Sequence, residues 1–271
     1  MLIRESRRTM EGSFDIRRGF PLFQGNHFDP FLLLDYFGPQ KINNDDSEGV
    51  STHPHRGFET VTYLIKGGVR HRDSKGNHGL IEPYGVQWMT AGFGLNHSEF
   101  GVKEFGGTLQ GVQLWVNLPS ELKMVEPRYQ EKQSNDLPLI EKEDYSVRII
   151  SGEYDNQKSP ILNYTPVTYL HLSLKPNKEF IWKPDQNWTN LIFSLQSEGT
   201  INGLNLKEAE LGVLEEADKN IILKNETDQM LEAILLSGKP IKEPIVAYGP
   251  FVMNSVGEIK QAIIDYQEEL F

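Results

Sequence analysis

Ser51-Thr52-His53-Pro54-His55-Arg56-Gly57-Phe58-Glu59-Thr60-Val61-Thr62-Tyr63 combines a pair of potential metal ligands with an alternating apolar pattern. Side chains two apart on a β-strand share a face, so His53 and His55 can present two imidazoles to one point. If the strand is regular, Glu59, Val61, Tyr63 and Ile65 share that face, which passes from polar site to apolar core as the inside of a small barrel does. Pro54 has no backbone N–H, which places the pair at a strand start or a sheet edge. About forty residues on, Asn96-His97-Ser98-Glu99 repeats the same spacing with a histidine and a carboxylate. Two such pairs on neighbouring strands would supply four ligands. Three neutral nitrogens and one carboxylate suit iron(II), manganese, nickel or zinc, and suit calcium poorly. A single H-x-H is often only packed or solvent-facing, but the two pairs use three of the chain's seven histidines. Glu59 competes with Glu99 for the carboxylate place, and spacing alone does not choose. The one left over would orient an imidazole as a hydrogen-bond acceptor.

Away from this stretch, Gly and Pro punctuate short apolar runs, many alternating at period two, which reads as mostly β-structure. Strands are expected at Glu59 to Ile65, Gly85 to Thr90, Thr108 to Asn117, Val167 to Leu174, Asn190 to Leu195, Glu210 to Leu214, Asn220 to Lys224 and Met230 to Leu236. Short strands at even spacing suggest closed or sandwiched sheets. The polar stretch Glu126 to Asp144 separates two strand-rich halves and reads as a linker, giving domains 1-131 and 132-271. No fixed-period repeat is present. Glu198-Gly199-Thr200-Ile201-Asn202-Gly203 resembles a hairpin. Ser255-Val256-Gly257-Glu258 has capping-box form ahead of Ile259, Ala262, Ile263, Tyr266 and Leu270, which predicts a terminal helix with one face on a barrel.

The 271 residues contain no cysteine, so thiolate nucleophiles, disulfides and Cys-ligated metals are excluded and any metal must take His, Asp or Glu. That fits a reducing cytoplasm, where a chain with no secretory leader and no membrane-length apolar window is expected. A net charge of −11 opposes direct binding to nucleic acid. Gly92-Phe93-Gly94 lacks the rest of a phosphate loop and reads as a turn before His97. His71 and His78 flank a turn and read as surface or hairpin residues; His27 and His171 read as structural. No serine sits on a glycine-framed elbow, and nothing selects a carboxylate pair for glycoside chemistry.

The stretch from His53 to Tyr63 and Gln87-Trp88-Met89-Thr90-Ala91-Gly92 closely resemble signatures of the pirin family. The resemblance extends to Asp29-Pro30-Phe31-Leu32-Leu33-Leu34-Asp35 and to Gly249-Pro250-Phe251-Val252-Met253-Asn254, and it is weakest from Glu126 to Lys242. It implies an all-β fold of two cupin-type (jelly-roll) β-barrel domains in tandem with a C-terminal helix. It also implies one divalent metal, iron(II) foremost with zinc, manganese or nickel as alternatives, held by His53, His55, His97 and Glu99. Glu59 is then left as a residue behind the ligands, and the second barrel, without a matching motif, as metal-free. Bacterial members resemble quercetin 2,3-dioxygenases, which open a flavonol ring with O2. On that reading Glu99 doubles as the base that accepts the substrate proton, and Phe58, Trp88 and Phe93 would hold the flat ring system. Animal members instead act as cofactors of transcription regulators, so the rival reading is a non-catalytic, iron-dependent binding protein acting through protein partners. The blandest reading leaves the histidines as ordinary barrel filling.

Overall fold

Period-two alternation builds the first barrel from a seven-stranded and a four-stranded antiparallel sheet. In spatial order the larger sheet runs Arg128–Lys132, Val86–Thr90, Phe58–Lys66, Thr108–Asn117, Phe31–Lys41, Phe14–Phe20 and Arg7–Glu11. The smaller runs Gly49–His55, Leu95–Val102, Gly68–Asp73 and His78–Ile81. Phe14, Ile16, Phe37, Leu64 and Leu109 of the larger sheet pack on Val69 and Ile81 of the smaller, so the two close face to face on one apolar interior. This is a computed structural model, and it describes residues 1–21, 28–45, 47–215 and 220–271. His27 lies outside them.

The second barrel repeats the plan. Its seven-stranded sheet runs Leu2–Glu5, Glu210–Val213, Thr189–Gln196, Leu231–Gly238, Val167–Leu174, Tyr145–Ser151 and Leu139–Glu141, and its four-stranded sheet Glu179–Trp182, Ile221–Lys224, Gly199–Ile201 and Leu204–Leu206. Leu170, Leu172 and Leu174 meet Phe180, Trp182 and Leu223 across its core. The expected strands are all present within a few residues. The expected hairpin turns at Asn202 (φ 49°) and Gly203 (φ 82°), a pair of left-handed residues that matches strand twist. No helix among the described residues is long and apolar enough to cross a membrane.

Two expectations need revising. The stretch Glu126 to Asp144 is not a plain linker: Arg128–Lys132 pairs with Val86–Thr90 in the first barrel, and Leu139–Glu141 with Tyr145–Ser151 in the second. Nor do the contacts divide the chain into 1-131 and 132-271. One unit comprises 8–16, 31–134 and 241–271, the other 1–7, 17–30 and 135–240. Leu2–Glu5 pairs with Glu210–Val213, and the last thirty or so residues belong with the first barrel. Backbone hydrogen bonds between segments far apart in sequence leave no mark on local periodicity, which is why this exchange was not legible.

The helix α1, Val256–Gln267, starts as predicted: the Ser255 side chain accepts from the Glu258 amide (3.3 Å) and donates to the Glu258 carboxylate (2.7 Å). It buries Ile259 and Ala262 against Phe251, Met253 and Phe271. The segment before it is tied to the first barrel by Lys123, a fully buried ammonium that donates to Gly57 O (2.8 Å), Val252 O (3.1 Å) and Asn117 Oδ1 (2.6 Å). Removing it strands these acceptors away from water. Lys123→Ala should therefore lower the free energy of unfolding by about 3 kcal/mol in a denaturant titration; a change within about 0.5 kcal/mol would show the tie to be dispensable.

Candidate metal centre

His53 and His55 end the strand Gly49–His55, at the edge of the smaller sheet, where Pro54 costs no ladder bond. The neighbouring strand Leu95–Val102 runs antiparallel, with His97 directly opposite His53, so the two pairs converge on one face. The ring centroids of His53, His55 and His97 lie 4.4 to 5.0 Å apart, and one nitrogen from each can be chosen so that all lie within 4.8 Å of one another. No other such group of three ligand side chains occurs among the described residues.

The donors are in the state a metal requires. The His53 Nδ1–H donates to Ser51 O (2.8 Å), which fixes the ring and leaves Nε2 free. Nδ1 of His55 and both nitrogens of His97 are buried without a hydrogen-bond partner. Burial first, then repulsion from neighbouring imidazoles, holds both rings well below the usual histidine pKa, hence neutral. Buried nitrogens without partners are costly, and a divalent cation that takes one nitrogen from each ring would offset part of that cost. His53 is half-buried and the other two are buried, so the group opens to solvent on the His53 side.

Glu99 is next on the same strand face, with a bulge between it and His97. Its carboxylate lies outside the three-histidine group: Oε1 accepts from the Thr62 hydroxyl (2.7 Å) and Oε2 from the Gln113 amide (3.2 Å). Each oxygen keeps a lone pair beyond that bond. A cavity of about 50 Å³ adjoins Glu99, walled by Phe14, Ile16, Phe37, Val50 and Val69.

The even-numbered residues Thr60 and Thr62, not Glu59, share the site's face. The strand is broken at Arg56 and Gly57, where φ of +88° excludes a side chain and turns the chain from the smaller sheet into the larger, resetting the alternation. Glu59 points the other way, accepting from the Thr90 hydroxyl (2.7 Å), and touches none of the histidines through any hydrogen bond. Trp88 is paired with Val61 on that same far face and is fully buried. Phe93 packs with Phe251 and α1 instead. Of the expected ring-holding residues only Phe58 meets a histidine, 5.2 Å from His55 between centroids. Trp115, not anticipated, stands 5.2 Å from His55 and 4.4 Å from Phe58, carried there because it lies opposite Thr60. The alternation Gln113-x-Trp115 was the signal.

His71, expected at the surface or in a hairpin, is buried. It is 4% exposed, lies opposite Glu99, donates from Nε2 to Glu131 (2.9 Å) and stacks on Tyr129 at 5.3 Å. Burial, with the Asp73 and Glu99 carboxylates, pushes the Tyr129 hydroxyl pKa up. Val69-x-His71-x-Asp73 alternates inward, which could have shown it. His78 is exposed as expected, and His171, in the second barrel, donates to Glu232 (2.8 Å).

The Pirin family model matches residues 13–116, and that of the Pirin C-terminal cupin domain matches 169–271. The chain belongs to the pirin family. A pirin-like protein of Solanum lycopersicum is 40% identical over 254 residues, covering 93% of this chain and 85% of that protein. Pirin-1 of Arabidopsis thaliana is 39% identical over 256 residues, covering 93% and 86%. Among solved structures, quercetin 2,3-dioxygenase from Acinetobacter baumannii superposes with a TM-score of 0.93 at 34% identity, covering 100% of this chain and 97% of that one. Both barrels of this pirin are therefore cupins.

Because Glu59 faces away, Glu59→Gln should leave metal affinity unchanged within about twofold. Burial raises its carboxyl from the usual 4.5 to about 7, so between these values the folded state holds a proton the unfolded chain has released. Its contribution to stability is thus present below about pH 4.5 and lost as pH rises through about 7. In Glu59→Gln that loss should vanish, seen as a gain in stability over the wild type that grows from pH 4.5 to 7 in chemical denaturation. A gain independent of pH, or loss of metal, would return Glu59 to the site.

Proposed function

We propose that this pirin is a mononuclear metal-dependent dioxygenase that opens flavonol-like, quercetin-type rings with O2, using iron(II) held by His53, His55, His97 and Glu99. The observation that carries the reading is the convergence of three imidazoles, two of them buried with nitrogens that have no hydrogen-bond partner, and a buried carboxylate two residues beyond His97 on its strand. The likeness to the Acinetobacter quercetin 2,3-dioxygenase supports the substrate class.

When bound, the ion supplies Lewis acidity that lowers the pKa of a hydroxyl beside a carbonyl and redox chemistry toward O2. The chain does the rest. His53 is held in one tautomer by Ser51, and His55 and His97 are kept neutral by burial. Glu99 accepts the substrate's hydroxyl proton at a carboxylate oxygen, its orientation fixed by Thr62 and Gln113. Trp115 and Phe58 supply aromatic surface beside His55. The 50 Å³ cavity at Glu99 is far below the roughly 300 Å³ of a ligand pocket, so a flat aromatic substrate approaches from the half-exposed His53 side. The second barrel offers no comparable ligand group among the described residues.

Elemental analysis of anaerobically purified protein should find about one iron per chain in the wild type and a small fraction of that in His97→Ala. On the same samples O2 uptake with quercetin should be lost with the metal. Glu99→Gln should slow turnover by roughly 10²-fold or more. Iron without turnover would contradict the enzyme and favour the iron-dependent binding protein, and no stoichiometric metal would contradict both.

A further inference from the structure

The residues that follow His55 and precede His97 are both held by the chain's last segment, residues 250–271. Arg56 is 3% exposed. Its amide donates to Pro250 O (3.3 Å) and its carbonyl accepts from the Val252 amide (3.0 Å). Its Nη1 forms an ion pair with Asp265 of α1 (2.7 Å), its Nε donates to Phe93 O, and its guanidinium lies 4.6 Å over the Phe271 ring. One side chain therefore ties the end of the His55 strand, the turn before His97 and α1 together. On the other side the Asn96 side-chain Nδ2–H donates to Phe271 O, and the Phe271 ring packs so closely on Gly94 that no side chain would fit there.

We propose that Arg56 is a positioning residue for the metal centre, with α1 as its support through Asp265, so that metal occupancy and docking of α1 are linked. The inference rests on the three-histidine metal reading. Metal affinity depends on how firmly the ligands are held before the ion arrives, and residues behind the ligands commonly set it by a factor of ten or more. His55 and His97 sit on paired strands, and Arg56 adds to that pairing a brace between the end of one strand and the turn at Phe93 that leads into the other. Linkage makes the effect reciprocal: if docked α1 raises metal affinity, bound metal must strengthen the docking of α1 by the same factor.

The test uses the full chain and cobalt(II), whose visible spectrum reports coordination. Asp265→Ala should bind cobalt(II) about tenfold more weakly in chelator competition, with an altered spectrum, and Asp265→Glu should recover most of the affinity. In the wild type, amides of 256–267 should exchange hydrogen more slowly with cobalt bound than without, and Asp265→Ala should lose that difference. Melting of the metal-free variants separates effects on folding alone. Unchanged cobalt affinity and spectrum in Asp265→Ala, even with a lower melting temperature, would overturn the proposal, as would α1 exchange indifferent to metal. A wild type that takes up no cobalt would overturn the metal reading itself, and this inference with it.

Discussion

Burying an imidazole nitrogen with nothing to bond it costs free energy, and the first barrel does this at three nitrogens of His55 and His97 in one place. Around that cost the local structure is organised. Strand pairing sets His97 opposite His53; the proline-bearing strand lies at a sheet edge; Ser51 fixes His53, the only one of the three grouped histidines that reaches solvent. The edge strand of the second barrel's smaller sheet, Glu179–Trp182, instead turns the apolar Phe180 and Trp182 into its core. Two copies of one scaffold thus differ in chemistry through a handful of side chains, as expected when function resides in a site rather than a fold.

The carboxylate has a different status from the histidines. Glu99 is buried and already satisfied by Thr62 and Gln113, so it can serve the site without standing as a stranded charge when the metal is absent. His71, Tyr129 and Glu131 add a second polar layer beside it. Glu59, equally buried, has one oxygen without a partner and lies on the opposite face of its strand. It adds to the pH dependence of folding, not to the site.

Much of this is legible in the sequence because period two is a local property: the two i, i+2 pairs, eight of the barrel strands and the capped helix α1 are readable. What escaped reading depended on interruptions or on distant partners. Gly57 resets the alternation, so extending the parity of His53 and His55 through it puts Glu59 on the wrong face and leaves Thr62 and Trp115 unnoticed; Trp88, expected to hold the ring system, lies on the far face with Val61. The turn beside His71 suggests the surface, whereas its own alternation with Val69 points inward. The exchange of terminal segments, with Leu2–Glu5 in one unit and α1 in the other, rests on hydrogen bonds between residues some two hundred positions apart, and no local pattern encodes those.

The claim on which the rest stands is that three imidazoles and one carboxylate surround a single divalent ion. X-ray absorption on the iron(II)-loaded protein, wild type beside Glu99→Gln, measures this directly. The account predicts multiple-scattering features of three imidazoles in both, with loss of one oxygen scatterer in the variant. A spectrum with fewer than three imidazoles in the wild type would contradict the centre described here.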